Sequence, residues 1–521
     1  MKKIIKENKT NLVLATLWRC LSKRRQKQFY LLLILMTISS LFEIFSIGSV
    51  LPFLAALAEP KVVFEHSLMQ PLIQFFELTE ANQIIFPLTV IFIAAALLAG
   101  IFRLALLYVM TRLSYATGGD LSIDIYRRTL CQDYLTHVSR NSSEVINGII
   151  AKTGTVTGAV IAPTLSLINS AMLIVVIMGV LLAIDTIIAL SVFTGLSLIY
   201  LLIVNYTRKK LKYNSKLIAE QSTQMIKSLQ EGLGGIRDVL IDGSQQFYCD
   251  LYQSSDLPLR HASGSNKFIG GAPKYIIEAV GMALIAVLAY ILFQQKGGIV
   301  TIIPVLGALA LGAQRLLPAI QQVYASYSSI KGAKSSLEDV IKLLEQPFPG
   351  FNNDILEPMP FKSGIVLKNV SYRYMPSTPW VLKNINLTLK KGDNIGFIGI
   401  TGSGKSTLLD IVMGLLSETS GEVIVDGQVI INSKQRRAWQ KNIAHVPQNI
   451  YLSDASIEEN IAFGISKKLI DRDRVRSAAK KAQISNLIDG WKDGSETTVG
   501  ERGVKLSGGQ RQRIGIARAL Y

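Results

Sequence analysis

Six long apolar stretches occupy the first two thirds of the chain. They cover residues 29–57, 84–111, 160–184, 186–206, 273–293 and 299–324. Each is long enough for a helix to cross the hydrocarbon core of a bilayer, which takes about 20 residues. Little more than Asp185 separates the third stretch from the fourth, which predicts a tight hairpin. The pattern therefore predicts an all-α transmembrane domain of six helices, which we place at residues 29–345.

The polar segments around these stretches also have helical patterns. Residues 1–28 contain leucines spaced among Arg and Lys, which predicts an amphipathic helix along the membrane surface. The segments 112–159 and 207–272 prolong the helices beyond a bilayer's thickness and break at polar turns near residues 139–143 and 242–245. The pattern of these turns is that of solvated loops between helices.

The pattern changes after residue 345. A segment rich in Pro and Gly, 346–363, predicts a linker. Beyond it, Asn394–Ile398 is predicted to be a short buried strand and Ser406–Leu415 a helix. The segment Gln510–Leu520 is predicted to be a second helix, which presents Ile514, Ala517 and Leu520 on one face. Residues 364–521 are thus predicted to form an α/β domain.

The composition agrees with a membrane protein. Mean hydropathy is +0.34 and 49% of the residues are hydrophobic, which is too apolar for a soluble chain of this length. The formal charge of +18 comes mainly from Lys and Arg before the first stretch and in the long polar segments, while the segment 58–83 has one basic residue. Because basic residues stay on the cytoplasmic side, both termini are predicted to be cytoplasmic. The charge does not indicate nucleic-acid binding.

Two motifs in the second domain indicate anion-binding loops. Gly399-Ile-Thr-Gly-Ser-Gly-Lys-Ser406 matches the P-loop, in which backbone N–H groups face phosphate oxygens, Lys405 contacts the terminal phosphates and the Ser406 hydroxyl binds Mg²⁺. The predicted strand–loop–helix context is the one that the motif requires. The remaining predicted ligands of the nucleotide are Thr401, Gly402, Ser403, Gly404 and Thr407.

The second motif is Leu506-Ser-Gly-Gly-Gln510. Ser507 stands where a helix N-cap belongs, so Gly508 and Gly509 lie at a helix N-terminus that can receive an anion. The alternative for the glycine pair is a flexible turn. On the first reading, Ser507, Gly508, Gly509 and Gln510 contact phosphate.

With these motifs, the chain from about residue 364 onward resembles the nucleotide-binding domain of ABC exporters, and the whole chain resembles a type I ABC exporter. The resemblance implies that Tyr374 stacks on adenine, that Gln448 senses Mg²⁺ and the attacking water, and that Lys405 and Gln448 act in ATP hydrolysis. It also implies that ATP and Mg²⁺ are the cofactors. The polar turns near residues 139–143 and 242–245 match the coupling helices that rest on the nucleotide-binding domain in this family, and the alternative is that they are solvated loops. His445 is expected to be a packing residue in the strand before Gln448.

ABC cassettes act in pairs, and each ATP lies between the P-loop of one and the signature motif of the other. The chain has one cassette and one six-helix domain, so the resemblance implies a half-transporter that forms a homodimer. In the family, an Asp-Glu strand and a switch histidine follow the signature helix, and neither is found before Tyr521. We expect that the chain is C-terminally incomplete, and that as given it binds ATP but hydrolyses it slowly. The alternative is a non-hydrolysing regulatory or assembly protein.

Charged residues inside the apolar stretches bear on the substrate. They are Glu43, Arg103, Glu278 and Arg315. A charged residue at the bilayer centre raises the free energy of insertion by roughly 2.5–3.5 kcal/mol. Pairing or hydration must offset this cost. Two alternatives stand: Glu–Arg pairing between helices, or a basic cavity for an anionic head group.

These positions resemble those of the bacterial ABC flippase for lipid-linked oligosaccharides. Lys274 falls where that family has another basic residue, and Gln322 replaces one. Residues 67–78 resemble its short external helix, although Pro71 interrupts them. The resemblance implies a substrate cavity containing Arg103, Arg315, Lys274, Glu43 and Glu278, and transport of a lipid-linked saccharide across the bacterial cytoplasmic membrane. The alternative is an exporter of lipid A, other lipids or peptides.

Overall fold

The computed structural model describes residues 13–184, 186–293, 298–348 and 356–521; side chains are not described for Leu51 and for most of 180–196 and 284–315. The chain divides into two compact units. One comprises the residues up to Gln132 together with Thr136–Phe351, and the other comprises Asp133–Leu135 together with Asn352–Tyr521. The predicted hairpin at Asp185 and most of the predicted linker, 349–355, lie outside the described residues.

Helices form the first unit. In chain order they are α1 (13–20), α2 (Lys23–Ala58), α3 (Pro60–Glu65), α4 (Gln70–Phe75), α5 (Ile85–Leu130), α6 (Tyr134–Ser139), α7 (Ser142–Asn147), α8 (Thr153–Val156), α9 (Ala162–Ile184), α10 (Thr186–Gly234), α11 (Ile236–Ile241), α12 (Gln245–Phe293), α13 (Gly298–Gly332) and α14 (Lys334–Leu344). The Ser22 side chain caps α2 by accepting from the N–H of Arg25 at 3.3 Å, which satisfies one of the free donors of the first turn.

The six predicted apolar stretches lie in α2, α5, α9, α10, α12 and α13. Among the described residues, three helical segments are long and apolar enough to cross a bilayer: Lys23–Ala58, Ala81–Leu130 and Ser142–Gly179. Short helices lie beside both predicted polar turns, with α6 and α7 around residues 139–143 and α11 before 242–245. Pro71 lies in the first turn of α4. The proline therefore starts this helix, because it needs no N–H partner there.

The largest described core of the first unit joins α2, α5, α14 and the stretch that leads into α9. It includes Leu32, Met36, Ile125, Val156 and Leu337, all with less than 2% of their surface exposed. Two π-helical turns, Gly148–Lys152 and Thr157–Ile161, flank α8 in this core. The buried Lys152 ammonium pairs with the Asp339 carboxylate of α14 at 2.6 Å.

The second unit contains a four-stranded antiparallel sheet in the order β2-β1-β3-β4. Its strands are β1 (Gly364–Tyr372), β2 (Leu382–Lys390), β3 (Ser420–Val425) and β4 (Gln428–Val429), and its helices are α15 (Lys405–Val412), α16 (Ser433–Gln440), α17 (Ile457–Ile461), α18 (Arg472–Lys481), α19 (Ser485–Asp489) and α20 (Gly508–Leu520). The sheet packs on α15 and α16, and α17 to α20 share a second core.

Two sequence predictions for this unit are wrong. Asn394–Ile398 and the segment around His445 are not strands, because no described segment pairs with either one and an unpaired strand leaves its backbone unsatisfied. As a result Ile398 is 99% exposed, and His445 is exposed instead of packed. The predicted helix Gln510–Leu520 is present as α20, in which Ile514 and Ala517 are buried and Leu520 is 48% exposed.

Candidate functional site

The P-loop, Gly399–Ser406, is shaped by its glycines. Gly402 and Gly404 have φ of +83° and +90°, a region that other L-residues rarely adopt. A Cβ at Gly404 would lie 2.9 Å from Leu382 Cδ2, so the position also requires the absence of a side chain. Gly404 precedes the first residue of α15. The loop therefore turns directly into the N-terminus of a helix, where free N–H groups favour an anion.

Lys405 turns back over this loop. Its ammonium donates to the carbonyl oxygens of Gly399 and Ile400, both at 2.8 Å, and lies 3.4 Å from Ser403 Oγ. In P-loop proteins the lysine at this position reaches the phosphates of a bound nucleotide. The exposed Thr401 and Ser406 lie on the same loop. The loop thus gathers a cation and a helix N-terminus, which fits a nucleoside polyphosphate.

Tyr374 lies beside this loop. Its hydroxyl and Thr407 Oγ1, in the first turn of α15, are 3.2 Å apart, and its ring meets that of Tyr372 edge to face, with centroids 5.1 Å apart. Tyr374 remains 38% exposed. The ring therefore has a free surface next to the loop, as a base-stacking residue needs.

Gln448 and His445 lie in an irregular segment of the same unit, and both are exposed. Asp410, on α15, lies near His445. Burial raises the pKa of the Asp410 carboxyl, and His445 opposes this rise in pKa.

The signature motif forms a capped helix. Ser507 Oγ accepts from the N–H of Gln510 at 3.3 Å, and Gln510 Oε1 accepts from the N–H of Ser507 at 2.8 Å. This capping box holds the first turn of α20, where Gly508 and Gly509 are exposed with nothing within 4 Å of an added Cβ. Within the described residues no hydrogen bond joins the motif to the P-loop. The P-loop and the signature motif each stand at the N-terminus of a helix.

The intramembrane charges are only partly brought together. Arg103 Nε donates to Glu43 at 2.8 Å, and its terminal nitrogen bonds both carboxylate oxygens. The Glu43 side chain is 3% exposed and that of Arg103 is 41% exposed. Lys274 and Glu278 are exposed on α12, and the side chain of Arg315 lies outside the described residues. Of the two alternatives above, Glu–Arg pairing is thus observed for Glu43 and Arg103.

Parts of the chain are similar to known proteins. Residues 382–521 match the family described as "ABC transporter". An "ATP-dependent lipid A-core flippase" from Cupriavidus metallidurans is 24% identical over 431 residues, which cover 82% of this chain and 72% of the relative. The "Leukotoxin translocation ATP-binding protein LktB" of a Pasteurella haemolytica-like species is 37% identical over 213 residues, 40% of this chain and 29% of the relative.

The fold also matches a solved structure. A bacterial Atm1-family ABC exporter with ATP bound superposes with a TM-score of 0.73 at 20% identity, which covers 96% of this chain and 83% of that chain. The helical unit followed by a cassette with a sheet is thus the fold of this class of exporter. The P-loop, the capped signature helix and the family match identify residues 382–521 as an ABC transporter cassette, and the chain has the fold of an ABC exporter.

Proposed function

We propose that the chain uses ATP to flip a saccharide-carrying lipid with a phosphate head group across the bacterial cytoplasmic membrane. The observation that carries the proposal is the combination of a P-loop shaped for a nucleotide with similarity to lipid A-core flippases over most of the chain. A polyprenyl-diphosphate-linked saccharide is our first candidate substrate, because Arg103 is half-exposed and can donate further hydrogen bonds to a phosphate.

In the nucleotide site, each residue has a distinct proposed role. Tyr374 stacks on the base. The N–H groups from Gly399 to Thr407 and the Lys405 ammonium bind the phosphates, once Lys405 releases the carbonyls that it contacts in this structure. The Ser406 hydroxyl and the Gln448 side chain would hold Mg²⁺, which prefers oxygen ligands and keeps substrate oxygens among them. ATP with Mg²⁺ supplies the free energy for transport.

We further propose that two copies form a homodimer. The signature motif, Ser507–Gln510, has no described bond to the P-loop of its own chain, so a second copy would bring its signature to the phosphates. Two composite sites result. The orientation that follows from the basic segments puts the cassettes and both termini in the cytoplasm.

Similarity to lipid A-core flippases favours a second candidate substrate, a lipid A-core molecule. Both candidates pair phosphate with saccharide and lipid chains, so a shared cavity chemistry serves either. Similarity to LktB covers only 40% of this chain, which makes a polypeptide the weaker candidate.

The test uses full-length protein in proteoliposomes that contain either a polyprenyl-diphosphate-linked saccharide or lipid A-core. We expect ATP-dependent flipping of one of them and little flipping of phosphatidylcholine. Lys405→Ala should abolish nucleotide binding and flipping, while the exposed control Lys434→Ala should preserve both. ATP binding without hydrolysis or flipping would support the non-hydrolysing alternative, and ATP-driven movement of peptide alone would contradict a lipid substrate.

A further inference from the structure

A groove with one charged end lies between α2 and α5. Its volume is about 330 Å³, at the small end of ligand sites, which span roughly 300–1,000 Å³. We call it the Arg112 groove, defined by six of its lining residues: Arg25, Gln28, Leu31 and Leu35 of α2, and Tyr108 and Arg112 of α5. A groove of this size holds part of a lipid while the rest stays in the bilayer.

Of the two arginines that line the groove, one pairs with a carboxylate and the other has no acidic partner among the described residues. Arg25 donates from Nε and a terminal nitrogen to the two oxygens of Asp120, at 2.7 and 3.1 Å, so its charge is balanced. Arg112 is exposed and donates to the Tyr108 hydroxyl at 2.7 Å. In the part of the chain that the structure describes, no acidic side chain pairs with Arg112. The groove therefore has a net charge of about +1, counted over Arg25, Arg112 and Asp120.

The walls of the groove are apolar and face outward. Leu31 is 64% exposed and Tyr108 is 60% exposed. Their neighbours continue this surface, because Ile34, Leu104 and Leu107 are each more than half exposed. Both helices belong to segments that are long and apolar enough to cross a bilayer. An apolar surface of this kind contacts acyl chains.

The depth of the groove places its charged end near a membrane surface. Arg25 lies within a basic run with Lys23, Arg24 and Lys27, all at the start of α2. The apolar residues Leu31 and Leu35 follow one to three turns later. The groove thus presents cations where lipid head groups lie and apolar walls where the chains begin.

We propose that the Arg112 groove binds one phospholipid of the bilayer that has an anionic, phosphodiester head group, such as phosphatidylglycerol. One free guanidinium matches one phosphodiester, whereas a diphosphate has at least two charges to balance. The basic run around Arg25 repels the ammonium of zwitterionic lipids, and the amide of Gln28 faces the groove as an uncharged polar group. The site is independent of the transported substrate and of the proposed function.

Native mass spectrometry of the detergent-solubilised chain with added phosphatidylglycerol or phosphatidylcholine tests this proposal. We expect Arg112→Ala to weaken retention of phosphatidylglycerol roughly tenfold or more, since a hydrogen bond to a charged group is lost. Arg112→Lys should keep most of the retention. The matched control is Arg24→Ala, which removes an exposed arginine of the same basic end that does not line the groove.

A second variant leaves every charge in place. Leu31→Trp fills the apolar part of the groove, so it should reduce phosphatidylglycerol retention while the protein still binds ATP at the P-loop, which reports a folded chain. Equal loss in Arg24→Ala and Arg112→Ala would overturn the proposal in favour of unspecific attraction to the basic end. Disulfide-linked dimers from Leu31→Cys would overturn it too, because a second copy would then cover the groove.

Discussion

Glu43 shows how a single buried charge is held in the helical unit. Its carboxylate is almost fully shielded and accepts from two nitrogens of Arg103, 60 residues further along the chain. Removing Arg103 takes its hydrogen bonds away from a shielded carboxylate, whereas removing both side chains also removes the charge that needs them. We therefore expect the main role of the pair to be stabilisation of the folded protein. The exposed part of Arg103 remains accessible to a head group.

Arg103→Ala is expected to destabilise the protein by roughly 1.5–3 kcal/mol, because the shielded carboxylate of Glu43 loses hydrogen bonds from a charged donor. Glu43→Gln, which leaves the exposed cation of Arg103, should destabilise it less, and Glu43→Gln combined with Arg103→Met should recover part of the loss. Thermal unfolding of the purified single and double variants measures these differences. Additive effects in the double variant would contradict the pairing.

Asp426 is a second residue with a defined role. It occupies the hairpin turn between β3 and β4, where Asp426 and Gly427 have φ of +46° and +81°, as a type I′ turn requires. Its carboxylate accepts from the N–H and hydroxyl of Ser363 at 2.7 and 2.6 Å, from the N–H of Gly364 at 2.9 Å and from the N–H of Lys362. These bonds, led by the Ser363 hydroxyl, hold the pKa of Asp426 well below its ordinary value.

The pH dependence follows from this lowered pKa. A carboxyl whose pKa is lower in the folded state stabilises it above the unfolded pKa, about 3.9, and this stabilisation is lost as pH falls towards the folded pKa. Asp426→Asn should therefore weaken amide-exchange protection of Ser363 and Gly364 at pH 7, and the difference from the unsubstituted chain should shrink below about pH 4. A difference independent of pH would contradict the ionised contact.

At the scale of elements, the close approach of α5 to the stretch that leads into α9 depends on Gly118. An added Cβ there would overlap the Thr157 hydroxyl and lie 2.9 Å from its methyl carbon. Thr157 begins a π-helical turn and is buried. The neighbouring Gly119 has nothing within 4 Å of an added Cβ. Of these two adjacent glycines, only Gly119 has room for a larger side chain.

Gly118→Ala should destabilise the protein by roughly 1–3 kcal/mol, because a methyl group is forced into a packed contact. Gly119→Ala should be neutral or stabilising by up to about 1 kcal/mol, since Ala favours a helix over Gly. Unfolding midpoints of the two variants, measured side by side in the same detergent, compare them. Equal midpoints would show that α5 can move away from Thr157 freely.

At the scale of the whole molecule, each chain has one P-loop and one signature helix, and no described bond joins them. Lys405→Ala removes the phosphate cation of one site. Ser507→Arg removes the cap of α20 and adds bulk where a phosphate would approach. If the two sites are shared between chains, each substitution acts on a different half of the same site.

A mixture of Lys405→Ala and Ser507→Arg chains tests whether the ATP sites are shared between the two chains of a dimer. Each variant alone should show almost no ATP-driven dimer closure, while Ser507→Arg should still bind nucleotide at its own P-loop. In an equimolar mixture about a quarter of all ATP sites should be intact. Half of the dimers are mixed, and each mixed dimer has one intact site of two. Crosslinking of closed dimers with ATP measures recovery. No recovery in the mixture would contradict shared sites.

The local motifs could be read from the sequence because their physics is local. Glycines with positive φ in the P-loop, Ser507 as an N-cap and helices over the six apolar stretches depend on residues close together in the chain. The same holds for the ABC exporter fold, since its motifs are short and ordered. These features follow from backbone freedom, capping and helix periodicity.

Contacts between residues far apart in the chain could be identified only from the tertiary structure. Spacing alone does not show that Arg103 meets Glu43 or that the Tyr374 hydroxyl meets Thr407. Nor does it show that Arg25 binds Asp120, while Arg112 has no acidic partner among the described residues. The apolar run Asn394–Ile398 looks like a strand in sequence, but a strand exists only where another segment supplies its hydrogen bonds. Strand pairing, burial and ion pairing all depend on which segments the fold brings together. The order of residues along the chain does not reveal which segments these are.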